Sequence, residues 1–363
     1  MRIVIACGGT GGHLFPGLAV AEELQAQGHE LLILISRKHI DALAVEGRSE
    51  FNFERLPSIG YPGLNLRLPL FFWELAQGLV GCGKLFAKFK PDVVLGMGGF
   101  TSLTPLICGR LRGARTLVHE SNAIPGKANK LNAKFSDRVL VGLEACAKFF
   151  PAEKVLHVGT PVRSELREKI RRPEALKHFG LDENGGPVLL VVGGSQGAHG
   201  LNMALQKAAE TGAFANGKAQ IIHLTGAADE ATLRETYQKA GVRAHVAAFC
   251  HQMGLAYAAA SLAVARAGAS TLTELSNFGL PAVLIPLPTA AEDHQTRNAE
   301  IFANAGAALL LPQREATPEK LGALLPELLA DSARLWKMSA AIYALFNADS
   351  PKRIAAEVVN VKD

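Results

Sequence analysis

Twelve short apolar runs, separated by longer helical stretches, limit most strongly what this chain can fold into. RIVIA, LLILIS, DVVLG, RTLVH, RVLV and VLHV occupy the first 158 residues, and PVLLVV, QIIHL, HVAAF, LAVA, AVLI and AALLL follow from residue 187 onward. The runs are continuous in Val, Ile and Leu rather than alternating, which marks strands buried on both faces and hence parallel α/β sheets. Residues 159–187, GTPVRSELREKIRRPEALKHFGLDENGGP, separate the two series with prolines, charges and a Gly-Gly-Pro turn. A chain of 363 residues exceeds the usual ~150 of one domain. The expected architecture is therefore two Rossmann-like doubly wound α/β domains facing each other across a cleft, residues 1–160 and 161–345.

Each half begins with a strand that runs into a glycine loop and then a helix: IVIACGGTGGHLFPGLAVAEEL and VLLVVGGSQGAHGLNMAL. Such a loop brings backbone N–H groups close to an anion, and the helix N-terminus adds about half a positive charge. Glycines also serve tight turns with no ligand at all. Three loops follow predicted strands here, GGTGG (8–12), GMGGF (96–100) and GGSQG (193–197), and the repetition favours phosphate. Neither familiar fingerprint fits. Counting G-x-G-x-x-G from Gly9 and Gly11 ends at Leu14, and the Gly-Lys pairs at Lys84, Lys127 and Lys218 precede Leu85, Ala128 and Ala219 rather than Ser or Thr.

A second constellation spans residues 265–300, ARAGASTLTELSNFGLPAVLIPLPTAAEDHQTRNAE. Ala269, Ser270, Thr271, Leu272 and Thr273 read as a helix start whose free N–H groups face a phosphate. Glu274, one turn in, is a carboxylate able to accept two hydrogen bonds from a ribose diol; an ordinary solvated glutamate is the rival reading. DHQTRNA follows an apolar strand, at the end of the sheet where open α/β folds bind ligands, which places His294 and Gln295 toward the same crevice.

Composition narrows the class. Five cysteines without a CxxC pair support neither a disulfide framework nor a zinc ribbon and suit a reducing cytoplasm. The opening apolar run is too short for a signal peptide, and no run approaches the ~18 apolar residues of a spanning helix. The expectation is a chain neither exported by a cleaved signal nor integral to a membrane. A net charge of +5 suits a polyanionic substrate or an anionic membrane surface. With no dense Lys/Arg run carrying interleaved aromatics, no nucleic-acid partner is expected.

GGTGGHLFPG, HESNAIPGKAN, GTPVR, GGSQGA, RAGASTLTE and DHQTRNA, in this order and spacing, resemble the MurG family, the glycosyltransferases that complete the lipid-linked peptidoglycan precursor. The resemblance covers nearly the whole chain. It implies a GT-B fold with UDP-N-acetylglucosamine bound mostly by the C-terminal half, and transfer of the sugar, with inversion, to the muramoyl 4-hydroxyl of undecaprenyl-diphospho-N-acetylmuramoyl-pentapeptide. It places the enzyme as a peripheral protein on the cytoplasmic face of the cell membrane, with other cell-wall synthesis proteins as partners.

By motif, Ser195, Gln196 and Gly197 should meet the nucleotide diphosphate and the backbone at Cys250, in FCHQM, should edge the uracil. Glu274 should take the ribose hydroxyls and Gln295 the donor sugar, with Thr10, Gly11, Gly12, Asn122 and Arg163 closing the site from the other side. No Asp-x-Asp pair is present, so the resemblance implies no metal and no cofactor; helix N-termini and nearby cations should stabilise departing UDP instead. Inversion needs a base near the attacking hydroxyl. His13, just after the first glycine loop, is the first candidate, with His119 and Glu120 of HESN behind it and a purely turn-capping role for His13 as the rival. The chain departs from the family pattern at Ser121, where Gln is usual, and at Phe100 and Leu103, where Tyr and Gly are commoner.

RLPLFFWELAQGLVGCGKLFAKFK, residues 67–90, reads as a helix. Leu68, Phe72, Leu75, Leu79, Cys82 and Phe86 form the stripe expected in the core, and Leu70, Trp73, Val80, Lys84 and Lys88 the opposite face, suited to anionic headgroups; a helix buried on both sides with solvated lysines at its end is the rival reading. SPKRIAAEVVNVKD, residues 350–363, reads as a last helix, and the segment 346–363 is expected to cross back onto the first domain as in GT-B folds. Two other function classes fit parts of this pattern: a UDP-sugar enzyme with another acceptor, or an epimerase of similar fold, and a membrane-bound UDP-sugar sensor without turnover.

Overall fold

All twelve apolar runs form strands, and a thirteenth joins them. The structure, a computed structural model, describes all residues except 10, 38–40, 42–44, 46–47, 58–67, 169, 195–196, 216, 218 and 361–363. The chain divides into two units, Met1–Arg163 with Asn347–Asp363, and Ser164–Phe346.

In the first unit the order is β1 (Arg2–Ala6), α1 (Gly11–Ala26), β2 (Glu30–Ser36), β3 (Phe53–Leu56), α2 (Leu68–Phe89), β4 (Val93–Gly96), α3 (Leu103–Leu111), β5 (Arg115–Glu120), α4 (Lys127–Asn132), β6 (Arg138–Val141) and β7 (Val155–His157). Its seven strands are parallel in the order β3-β2-β1-β4-β5-β6-β7. β3 carries the half-polar sequence FERL at the sheet edge, which is why no apolar run announces it.

The second unit runs α5 (Arg172–His178), β8 (Val188–Val192), α6 (His199–Glu210), β9 (Gln220–Leu224), α7 (Glu230–Lys239), β10 (Ala244–Ala247), α8 (Met253–Ala259) and β11 (Leu262–Ala265). It continues through α9 (Ala269–Asn277), β12 (Ala282–Leu284), α10 (His294–Asn304), β13 (Ala308–Leu310), α11 (Pro318–Ala330) and α12 (Ser332–Ala344). Its six strands are also parallel, in the order β10-β9-β8-β11-β12-β13.

Both faces of each sheet are covered, as continuous apolar strands require. In β1, Ile3 and Ile5 enter one core cluster while Val4 and Ala6 enter another. Each of the Ile and Val side chains contributes about 1.5–3 kcal/mol by leaving water. The strand order reverses between β1 and β4 in the first sheet and between β8 and β11 in the second. At such a switch point the flanking loops diverge to opposite faces and leave a crevice at the carboxyl ends. All three glycine loops follow a strand that borders a switch point.

A last helix, α13 (Ser350–Val359), belongs to the first unit and packs on α1. Ile354, Ala355 and Val358 share a cluster with Leu14 and Leu18. Arg115 donates to the Glu357 carbonyl at 2.6 Å and to Glu357 Oε1 at 2.6 Å, and Arg353 donates to the His157 carbonyl at 2.6 Å.

α2 is rotated relative to expectation. Its buried residues are Phe71, Gly78, Cys82 and Phe86, while Phe72, expected in the core, is 57% exposed. The closest approach to α3 sets the seam: a Cβ on Gly78 would lie 3.0 Å from Thr104 Cγ2. Phe71 then meets Phe100 edge-on at 5.6 Å, and Phe72, about 100° round the helix, is turned out. Leu70, Trp73, Val80, Lys84 and Lys88 are exposed as expected.

Candidate functional site

At the first switch point the chain leaves β1 through Cys7, Gly8 and Gly9, whose geometry leaves no room for side chains. A Cβ on Gly8 would lie 2.2 Å from the Ser36 amide, and Gly9 has φ +108°. The buried Asp41 carboxylate braces this turn, its Oδ2 accepting from the Gly9 N–H at 2.7 Å, the Ser36 N–H at 3.0 Å and the Ser36 hydroxyl. Gly17, one and a half turns into α1, packs against Cys7 where a Cβ would come within 2.5 Å, so it provides the close helix–strand contact. Pro16 has no N–H for the Gly12 carbonyl, which loosens the first turn of α1 where His13 sits.

His13 is partly exposed and lies on the glycine loop that follows β4. A Cβ on Gly98 would stand 2.9 Å from His13 Cδ2 and Nε2, and one on Gly99 3.3 Å from Cε1 and Nδ1. Gly98 and Gly99 have φ +115° and +71°, conformations that L side chains rarely adopt. These two glycines form a flat bed for the imidazole. Asn132 donates to the Gly99 carbonyl at 3.0 Å and holds the bed from α4.

His119 and Glu120, at the end of β5, are placed differently. His119 is fully buried, its Nε2 2.9 Å from the Gly159 carbonyl and its Nδ1 3.4 Å from the Ser121 hydroxyl. The carbonyl can only accept, so Nε2 carries the proton. Burial pushes its pKa down, which keeps the ring neutral. Glu120, 4% exposed, accepts from the Asn122 N–H at 2.9 Å, Asn122 Nδ2 at 2.9 Å, the Gly126 N–H at 3.2 Å and Asn129 Nδ2 at 2.9 Å. Four donors shape the SNAIPG turn around that carboxylate. The sequence reading of either residue as a general base does not fit these surroundings, because a base needs a lone pair facing an incoming hydroxyl.

Asn122 therefore faces Glu120 as a loop-forming side chain. Arg163 lies with its guanidinium 4.5 Å from the Phe15 ring centroid, and Phe15 in turn abuts Gly11. Gly11, Gly12, His13, Phe15 and Arg163 are thus brought together at the N-terminus of α1. Thr10 lies outside the described residues. Asn129 and Asn132 were not anticipated; two asparagines three apart in a short helix, where Asn is a poor helix former, were the available signal.

At the second switch point Gly197, which closes the loop after β8, has no room for a side chain. A Cβ on Gly197 would lie 2.0 Å from the Thr225 carbonyl, and the Gly197 N–H donates to the Gly194 carbonyl at 3.0 Å. Ser195 and Gln196 lie outside the described residues. Beneath the loop, Asn202 donates to the Thr225 carbonyl at 2.8 Å and to Asp229 Oδ2 at 2.7 Å, and its Oδ1 lies 3.0 Å from His223 Nε2. His223 Nδ1 is 2.9 Å from the Tyr237 hydroxyl. Wholly buried, His223 has its pKa pushed down from 6.5 to about 3.

Across the switch point, α9 starts at Ala269 after an extended Gly268. Ser270 and Thr271 are partly exposed, whereas Leu272 is buried in the core and offers only backbone to a ligand. Thr273 turns its hydroxyl onto the Ala269 carbonyl at 2.8 Å. Glu274, half-buried, accepts from the Tyr257 hydroxyl at 2.7 Å. Gln295, at the start of α10, accepts the Leu287 N–H at 2.9 Å through Oε1, which leaves its amide group to donate. Asn298 donates to the Ala267 carbonyl at 3.0 Å and so ties α10 to the RAG turn. Cys250 is partly exposed, between the exposed Phe249 and His251. Among the described residues no group of three or more His, Cys, Asp or Glu side chains is placed to hold a metal ion.

Two parallel Rossmann-like units, each with a glycine loop at its switch point, define a GT-B type fold, an architecture that many sugar-nucleotide-dependent glycosyltransferases share. The glycosyltransferase family 28 N-terminal domain matches residues 3–141 and its C-terminal domain residues 188–356, and the chain belongs to this family. It is 36% identical to the UDP-N-acetylglucosamine--N-acetylmuramyl-(pentapeptide) pyrophosphoryl-undecaprenol N-acetylglucosamine transferase of Geobacter sulfurreducens, over 99% of this chain and 98% of that one. The crystal structure of Acinetobacter baumannii MurG superposes with a TM-score of 0.78 at 27% identity, covering 98% of both chains. A UDP-GlcNAc 2-epimerase from Neisseria meningitidis shares the fold at a TM-score of 0.69 and 14% identity, with 98% of each chain covered.

Proposed function

We propose that this chain transfers N-acetylglucosamine from UDP-N-acetylglucosamine to the 4-hydroxyl of undecaprenyl-diphospho-N-acetylmuramoyl-pentapeptide, with inversion, and so completes the lipid-linked peptidoglycan precursor. The observation that carries the reading is the end-to-end likeness to transferases of that activity. The first unit takes the lipid-linked acceptor and the second takes UDP-N-acetylglucosamine.

His13 is the base that removes the acceptor proton. Its support is geometric: a partly exposed imidazole at a switch point, held on two glycines that admit no side chain. His119 and Glu120 shape the loops around it. In the second unit, Gly197 and the loop residues Ser195 and Gln196, with the N-terminus of α9, meet the diphosphate. Glu274 receives the ribose hydroxyls, the Cys250 backbone edges the uracil, and Gln295 reads the donor sugar through its amide. Helix N-termini and Arg163 offset the charge of departing UDP, without a metal ion.

The enzyme rests on the cytoplasmic face of the membrane through α2. Trp73 is 63% exposed and Val80 60%, and Arg37, Arg55 and Lys84 line the same groove, an apolar surface beside cations that suits anionic lipid. Among the described residues no helix is long and apolar enough to cross a membrane.

UDP release from UDP-N-acetylglucosamine in the presence of EDTA, with and without a short-chain lipid-linked muramoyl-pentapeptide, tests the proposal. Release that depends on the acceptor is expected. No release with acceptor, while UDP still binds, would overturn it in favour of another acceptor or a sensor.

A further inference from the structure

Glu274 does not stand alone. A glutamate side chain on a helix surface samples many rotamers, and fixing it on ligand arrival costs conformational entropy that opposes binding. In this structure one of its oxygens already accepts a hydrogen bond, from the Tyr257 hydroxyl at 2.7 Å. Tyr257 is 3% exposed and its ring lies 5.2 Å from that of Phe278, so the donor is itself held by packing. A short donor–acceptor distance to a carboxylate is characteristic of a charge-assisted bond, the stronger kind.

The place of Tyr257 in the fold adds a second point. It lies on α8, which starts at Met253, three residues after Cys250, whose backbone is assigned to the uracil edge. Glu274 lies on α9, which starts at the diphosphate side of the switch point. One hydroxyl therefore joins the element next to the base with the carboxylate assigned to the ribose.

We propose that Tyr257 is a positioning residue that holds the Glu274 carboxylate ready for a ribose diol, and so sets the preference of this site for ribonucleoside over deoxyribonucleoside diphosphates. The inference rests on the assignment of Glu274 to the ribose. A carboxylate fixed before the ligand arrives gives its full hydrogen-bond strength to a diol, and the same fixed carboxylate is left short of a partner by a 2′-deoxy sugar. Without the Tyr257 hydroxyl the carboxylate is held less firmly, so it adjusts more readily when the 2′-hydroxyl is missing and the discrimination falls.

The test is calorimetric binding of UDP and 2′-deoxy-UDP to the intact protein and to three variants, Tyr257→Phe, Phe278→Leu and Glu274→Gln, each checked for folding by thermal unfolding. The wild type is expected to favour UDP, and Tyr257→Phe to reduce that preference by about three- to tenfold. Phe278→Leu keeps the hydroxyl but loosens the packing that holds it, and its preference should fall by less than that of Tyr257→Phe. A Tyr257→Phe protein with the wild-type preference, beside a Glu274→Gln protein that has lost it, would overturn the inference while leaving the ribose assignment standing. Equal loss in Phe278→Leu would overturn it too, since packing would then be the agent. Full preference in Glu274→Gln would remove the ribose assignment itself and the inference with it.

Discussion

His13 and Gly98 show how much a single missing side chain can carry. The imidazole comes within 2.9 Å of where a Cβ on Gly98 would stand, and Gly98 adopts φ +115°. His13→Ala is expected to lower kcat by between about a hundredfold and ten-thousandfold, the usual range for a general base, with UDP affinity unchanged. Gly98→Ala should act through the same imidazole by displacing it, with a loss in kcat of up to about a hundredfold. Steady-state rates with saturating donor, set beside UDP binding, check both; a Gly98→Ala enzyme with wild-type kcat would show that the bed does not place the base. Glycines in a GMGGF loop signal a tight turn or an anion in the sequence. That they serve a histidine 85 positions earlier is a tertiary fact, legible only once β1 and β4 are known to be neighbours.

Among the elements, α2 divides what periodicity can and cannot foretell. Its length and two-faced character follow from the apolar spacing, and the exposed face of Leu70, Trp73, Val80, Lys84 and Lys88 is where it was expected. The buried seam is not, because Gly78 against Thr104 decides which side approaches α3, and a glycine carries no weight in a hydrophobic stripe. In a Trp336→Phe background, Trp73 is the only remaining tryptophan. Its emission should shift to the blue with vesicles rich in anionic lipid and not with neutral ones, and Trp73→Glu should abolish sedimentation with the vesicles. Binding unchanged by that substitution would remove α2 as the contact. Strands were the most legible elements, since every continuous Val/Ile/Leu run became one; β3 escaped because an edge strand with two charged residues has no such run. Asp41, Asn129 and Asn132 escaped for another reason: each acts on backbone remote in sequence, where no local pattern records the contact.

For the molecule as a whole, acid should be a selective stress. The buried His223 has a folded pKa of about 3 against an ordinary 6.5, so the unfolded chain takes up its proton first. The stability this neutral ring provides is complete above about pH 6.5 and falls as pH drops from there toward 3, by up to about 1.4 kcal/mol per pH unit. His119, also held neutral by burial, adds a loss of the same sign in the first unit. Chemical denaturation at a series of pH values should show this slope, and His223→Gln should flatten it. Ile354→Ala, in α13, should lower the unfolding free energy of the first unit by about 2–5 kcal/mol, since the side chain is fully buried. Each unit contains one tryptophan, Trp73 or Trp336, so single-tryptophan proteins report the two units separately.

The return of α13 to the first unit also bears on how the protein is made. A ribosome delivers the chain from the N-terminus, and domains generally fold as units while synthesis proceeds. The first unit cannot close when its own strands have emerged, because Ile354, Ala355 and Val358, which cover Leu14 and Leu18, come only after all of the second unit. For the time needed to translate some 180 residues, on the order of 10–40 s at the usual ~5–20 residues per second, the nascent chain carries an open apolar patch on α1. The half that begins first is finished last, and chaperone demand during synthesis should concentrate there.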